Sequence, residues 1–363
     1  MKRLFLVSLA VLLLVTLILG GCAKPAPAPA PGPAPTPAPT PTPVKPIELR
    51  FSTWLPPVHH LPQNIISPWA AEVEQRTEGR VKVNVFTTEA LGKQNDHLQM
   101  VATGIADIAT CQPRYSEVTE RFPLSEVFNI PWFIADEFTD PTGTAKAIRE
   151  MAFEKYLIPM HLKDVKVLWS SRFSARVLHM ADKPVRKLED MEGLLIGVVG
   201  EWTLRAYQRY YGASVENLFA PEVYTALERK MVDGTECPLS FLVGFRLVEL
   251  VKYVTVLNVG SGVYFYAMSM PAWNKLSPAD QEVIDELCAK YSKLDAESWI
   301  EEATLAEEAG KEAGIEFITL SPEEKQRWAD ICKPLLGEFK AEMDAKGLPA
   351  SEMVDDILKM MPK

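Results

Sequence analysis

The residues able to do chemistry in this 363-residue chain are few and scattered. Its five histidines are His59, His60, His97, His161 and His179. The first two are adjacent and diverge on an extended backbone, whereas zinc sites usually pair their ligands at short helical or turn spacing. No HExxH, CxxC, GxSxG or GxxxxGK[ST] occurs, and no GxGxxG follows the first strand. The signatures of zinc hydrolysis, dithiol redox chemistry, a nucleophile elbow and a phosphate cradle are therefore missing. A Ser, a His and an Asp can be found in any chain this long and do not by themselves mark a triad. Arg172 and Arg176 lie in "SSRFSARVLHMADKPV", and Arg114 stands beside Tyr115 in "QPRY". Each guanidinium offers a planar fork that matches the two oxygens of a carboxylate.

Those residues need elements to position them. "IELRFSTW", a helix over about Leu61 to Thr77, "GRVKVNVF", a helix over about Asn95 to Thr103 and "ADIATCQ" alternate as strand and helix. That order predicts a mainly parallel sheet with helices on its faces. The pattern returns after Asp164 in "VKVLWSS", "RVLHMA", "GLLIGVV", "ASVENLF", "MVDGTEC" and "KYVTVLNV". Two α/β lobes with separate cores follow, and then long helical sequence over about Pro278 to Ala313 and Pro322 to Lys346. Open α/β sheets bind ligands at the carboxyl ends of their strands. Arg114 and Tyr115 fall at such an end, and Trp54, His59, His60 and Glu89 occupy loops on the same edge. Trp202, Phe219 and Phe241 add aromatic surface, although any one aromatic is more often core than pocket. Gly197 interrupts the strand in "LEDMEGLLIGVVG". A glycine inside a strand points to a bulge, a bend or something that approaches the backbone closely.

The chain opens with two basic residues, an uncharged apolar run from Leu4 to Leu19, and "LGGC" ending at Cys22. This reads as a secretory signal over residues 1–21. "LGGC" resembles the bacterial lipobox, which implies acylation of Cys22 and an anchor made of several acyl chains. Residues 22–46 then form a Pro- and Ala-rich stalk, extended and without core-forming side chains. The net charge of −10 argues against nucleic acid as a partner. The four remaining cysteines, Cys111, Cys237, Cys288 and Cys332, are widely spaced and read as buried free thiols. Neither a metal nor a cofactor is expected.

Three segments resemble the solute receptors of TRAP transporters, the DctP-like proteins. They are "EVEQRTEGRVKVNVFTTEALG", "KPVRKLEDMEGLLIGV" and "PEVYTALERKMVDGTECP". The resemblance implies a two-lobed periplasmic-binding-protein-like α/β fold with a ligand cleft between the lobes and long C-terminal helices. Lobe I would span residues 47–170, completed by about 260–295; lobe II would span 171–259, completed by 296–363. It also implies a receptor without catalysis that closes on a small organic acid and delivers it to a membrane permease. The same chain would serve a sensor equally well. In the family an arginine on the strand after the lobe crossing grips the solute carboxylate, and here that position is Gly197. A second family arginine matches Arg176, with Arg172 close by. Glu236 and Cys237 match a family carboxylate and a pocket residue. The expected ligand is a monocarboxylate or aromatic acid held by Arg176, or a neutral or bulkier solute that approaches Gly197.

Overall fold

A computed structural model describes residues 45–112, 122–134, 143–198, 200–260 and 262–361; Cys22, Arg114 and Tyr115 lie outside the described residues. The first strand, β1 (Ile47–Ser52), lies between β2 (Val81–Phe86) and β3 (Ile108–Cys111), parallel to both. Helix α1 (Ser67–Arg76) connects β1 to β2, and α2 (His97–Thr103) connects β2 to β3. Short parallel strands need such crossovers to return to the same end of the sheet. After α3 (Thr144–Ala152), β4 (Val165–Arg172) forms the far edge of this sheet, in the order β2-β1-β3-β10-β4. Its neighbour β10 (Val263–Ser269) arrives almost a hundred residues later.

The second sheet has the order β11-β9-β5-β8-β6-β7. Its strands are β5 (Arg176–Met180), β6 (Leu195–Val198), β7 (Ser214–Asn217), β8 (Gly234–Pro238), β9 (Tyr253–Val256) and β11 (Glu316–Thr319). Between them lie α4 (Glu201–Ala206), α5 (Val223–Glu228) and α6 (Phe241–Gly244). Each sheet is mainly parallel, as expected, with one strand reversed. The chain leaves the first sheet after β4 and comes back after β9, so β10 runs antiparallel to both β3 and β4, and β5 antiparallel to β8 and β9.

A 35-residue helix, α7 (Pro278–Glu312), is the longest element. The Ser277 hydroxyl accepts the Asp280 N–H at its start, and at about 1.5 Å per residue the helix runs roughly 52 Å. Its first turns are tied to the first sheet's side by Arg80–Asp280 at 2.9 Å and Lys290–Glu72 at 2.6 Å. Near its other end Gly310 lies under Phe317 of β11, where an added Cβ would meet the ring at 2.8 Å. The helical stretch expected over Pro322 to Lys346 is two helices, α8 (Pro322–Cys332) and α9 (Pro334–Ala345). Pro334 has no N–H to continue α8, and its fixed φ suits the first position of α9. The last helix, α10 (Ala350–Met360), packs against α9 and α3, and Asp356 accepts from Lys155 and Tyr156 beyond α3.

Two hydrophobic clusters form the core, and they divide by sheet face instead of by lobe. One joins Phe122, Phe153 and Phe265 to Trp202, Trp328 and Phe339. The other joins Phe51 and Trp69 to Val223, Leu227 and Val254. Each cluster therefore draws on both sheets.

Candidate ligand-binding site

Two chain passages connect the sheets side by side. The Phe173 N–H donates to Gly262 O at 3.1 Å, the Arg176 N–H to Gly260 O at 3.1 Å, and the Asn258 N–H to Arg176 O at 3.2 Å. Beneath them lies Asp295, in the middle of α7 and fully buried. Its carboxylate accepts from Trp169 Nε1 at 3.0 Å, from the Ser171 hydroxyl at 2.9 Å and from the Tyr264 hydroxyl. Trp299 Nε1 donates in turn to the Tyr264 oxygen at 2.7 Å. Burial raises the Asp295 pKa, opposed by these donors. The network joins β4, β10 and α7 where the chain changes sheets.

A narrow cavity opens beside this crossing, with about 20 Å³ of room, close to one water. Trp54 and Gln112 reach it from the carboxyl ends of β1 and β3, and Phe173 reaches it from the crossing. The opposite wall is Ala220, Val223, Phe241 and the β8 run Thr235 to Pro238. Trp54 stacks on Phe245 with ring centroids 6.2 Å apart, bringing the two walls together. The polar atoms here are mostly engaged. Gln112 Oε1 accepts from Gln94 at 2.8 Å, the Thr235 hydroxyl donates to Gly197 O at 2.9 Å, and Cys237 Sγ lies 3.3 Å from His179 Nδ1. Trp54 Nε1 is buried with no partner among the described residues.

Strand alternation decides which candidates face this cavity. Leu178 pairs with Glu236 and Arg176 with Pro238, so Arg176 and Glu236 share one face of the second sheet. There they form an ion pair at 3.0 Å with both side chains only 1 % exposed. Arg176 also donates to the Thr203 hydroxyl at 2.9 Å. Burial, reinforced by Glu236, pushes the neighbouring Tyr207 hydroxyl well above its ordinary pKa. Gly197, Thr235 and Cys237 belong to the other face, since Gly197 pairs with Thr235. Thus Glu236 is part of the cavity wall but its carboxylate is matched by Arg176, which does not line the cavity. Arg172 is buried at the end of β4, next to Phe173.

The close approach expected at Gly197 comes from the protein itself. A Cβ built there would sit 2.5 Å from Leu218 Cδ1. The other candidates are placed elsewhere. His59 stacks on His60 at 4.4 Å, edge-on to Trp299 and Phe245, and burial lowers its pKa to about 3. Glu89, in a left-handed turn with Thr88, accepts the Gln94 N–H at 2.7 Å and pairs with Lys93. Trp202 is core, with Arg205 over its ring and Phe339 against its edge. The Phe219 N–H donates to Glu222 before α5. Trp54, Glu236, Cys237 and Phe241 are thus brought together, and Gln112, Phe173, Val223 and Thr235 join them without having been singled out. Thr235 was within reach: it precedes Glu236 in "DGTECP", and period-2 alternation pairs it with Cys237 on one face.

All four described cysteines are buried. Among the described residues, no group of three or more His, Cys, Asp or Glu side chains could hold a metal ion. No described helix is long and apolar enough to cross a membrane.

Two mixed α/β sheets, a double crossing, a spanning helix and a cavity beside the crossing define the two-lobed fold of periplasmic solute-binding proteins. The chain belongs to family 7 of the bacterial extracellular solute-binding proteins, DctP, which it matches over residues 51–342. It is 27% identical over 285 residues to the C4-dicarboxylate-binding periplasmic protein DctP of Rhodobacter capsulatus, covering 76% of this chain and 82% of that protein. A TRAP periplasmic solute-binding protein of Bordetella bronchiseptica, solved with bound (R)- and (S)-mandelate, is 25% identical with a TM-score of 0.75, covering 86% of this chain and 98% of that one. A marine metagenome TRAP protein specific for aromatic acid ligands has a TM-score of 0.78 at 21% identity, covering 86% and 98% of the two chains.

Proposed function

We propose that this chain is the extracytoplasmic receptor of a TRAP-type transporter, anchored through an acylated Cys22 and its stalk. It captures a small organic acid, a monocarboxylate or aromatic acid, by closing its lobes about the crossing, and delivers that solute to the membrane permease without catalysis. The family match over residues 51–342 carries this reading, and the cavity at the crossing, walled by residues of both sheets, supports it as the place that widens to admit a solute. Ligand contacts made from two walls exist only when the walls are together, so binding shifts the population toward closure.

Arg172, buried at the end of β4, supplies the carboxylate fork in this reading, because Arg176 is matched by Glu236. A thermal-shift screen of delipidated protein against organic acids tests the proposal. A ligand at 100 times its dissociation constant stabilises the native state by about 2.7 kcal/mol, and no shift with any acid would count against it. The Arg176–Glu236 pair favours a neutral solute as the second reading, so the panel includes uncharged aromatic analogues.

A further inference from the structure

Gly197 is the one described residue of β6 without a side chain, and no left-handed φ calls for glycine there. Its missing side chain is replaced by a neighbour. A Cβ at 197 would lie 2.5 Å from Leu218 Cδ1, 3.4 Å from Leu218 Cγ and 3.5 Å from the Thr235 hydroxyl. The Leu218 N–H donates to Val198 O at 3.1 Å, which fixes Leu218 over the end of β6. Leu218 is buried, in the same apolar cluster as Ala220, Val223, Cys237 and Phe241, and Thr235 beside it forms part of the cavity wall. Across the cavity, Trp54 Nε1 is a donor without a partner among the described residues, on a side chain only 2 % exposed.

We infer that Leu218, seated in the space that a side chain at position 197 would fill, sets the specificity of this site: it makes the β6–β8 end apolar, so the solute is a single-carboxylate acid with a ring or branched tail and not a dicarboxylate. This rests on the organic-acid reading above. A second carboxylate driven against Val223 and Phe241, which line the cavity and share the apolar cluster of Leu218, would lose its water without gaining a charged partner, which is strongly unfavourable. Trp54 supplies a donor at the opposite wall for the polar end of the solute.

Titration calorimetry with benzoate, phenylacetate, 4-ethylbenzoate and succinate tests this. Wild-type protein is expected to bind at least one of the aromatic acids about 100-fold tighter than succinate, a ratio within reach of a site that leaves one polar group unpaired. Leu218→Ala should shift preference from benzoate toward 4-ethylbenzoate by about 10-fold, the scale of one or two methylenes in an apolar pocket. Gly197→Arg combined with Leu218→Ala should raise succinate affinity by about 10-fold over Leu218→Ala alone, since the space vacated by leucine admits a carboxylate partner. Leu218→Val, which removes one methylene, carries the same test in the same direction should the alanine variant fail to fold. If wild-type protein binds succinate as tightly as the aromatic acids, the inference is overturned and the receptor reading stands. If folded Leu218 variants rank all four acids as wild type does, the inference is overturned as well. If wild-type protein binds none of the acids, the organic-acid reading falls and the inference with it.

Discussion

At the scale of single residues, the site separates two arginines that lie four positions apart. Arg176 is locked to Glu236 behind the second sheet, both 1 % exposed, and its charge is met before any solute arrives. Removing one partner of such a pair leaves an uncompensated buried charge. Arg176→Met is therefore expected to lower stability in urea by about 3–5 kcal/mol, while Arg176→Met with Glu236→Leu recovers most of the loss. A double variant no more stable than the single one would show that the pair is not the source. In the proposed function Arg172 is the arginine that meets the solute carboxylate. Arg172→Ala should weaken binding of an organic acid by roughly 10- to 100-fold, the worth of one charge-assisted hydrogen bond, as read by calorimetry. Arg172→Lys should fall between, because an ammonium keeps the charge but loses the fork.

At the scale of elements, α7 is the part whose sequence and packing make opposing demands. Gly310 lies in the last turn of the helix, where alanine would still be favoured, by up to about 1 kcal/mol. Packing outweighs propensity here, since a Cβ at 310 would meet the Phe317 ring at 2.8 Å and Leu242 Cδ1 at 3.2 Å. Gly310→Ala is thus expected to lower stability by about 1–3 kcal/mol, the usual range for overpacking, and chemical denaturation measures it. A stabilised variant would mean that β11 moves away from α7 at little cost. Element types were largely readable from the chain. The strands through β9 follow from apolar runs bounded by turn residues, and the start of α7 follows from Ser277 and Pro278. The elements β10, β11, α3, α6 and α10 escaped that reading. In β10 every residue is buried, so "VYFYAMS" shows no alternation to mark it as a strand. The split between α8 and α9 was visible in Pro334, whose ring cannot continue a helix.

At the scale of the whole molecule, buried neutral histidines tie stability to pH. Burial lowers the pKa of both His59 and His179 to about 3, against an ordinary value of 6.5. Below pH 6.5 the unfolded chain takes up protons that the folded chain refuses. Stability is therefore complete above about pH 6.5 and falls as pH drops toward 3, by up to about 1.4 kcal/mol per pH unit for each histidine. Urea midpoints at pH 7.5, 6.0 and 5.0 measure this. These three pH values lie above 4.5, where ion-paired carboxylates such as Glu189, whose folded pKa is lowered to about 2, begin to lose their contribution to stability. His179→Gln should flatten the slope, and a midpoint unchanged from pH 7.5 to 5.0 would remove the histidines from the account.

The sequence by itself determined the α/β class, the family, most strands and the absence of a marked catalytic motif, because these depend on local periodicity and on short motifs. It also brought Trp54, Glu236, Cys237 and Phe241 into consideration. Only the tertiary structure decided that Arg176 turns away from the cavity, that Gln112, Phe173 and Thr235 belong to it, and that Leu218 fills the space at Gly197. Those outcomes depend on which face of a strand meets which neighbour. That register is set by hydrogen bonding between strands distant in the chain, such as β5 with β8 and β10 with β4, which no local pattern encodes.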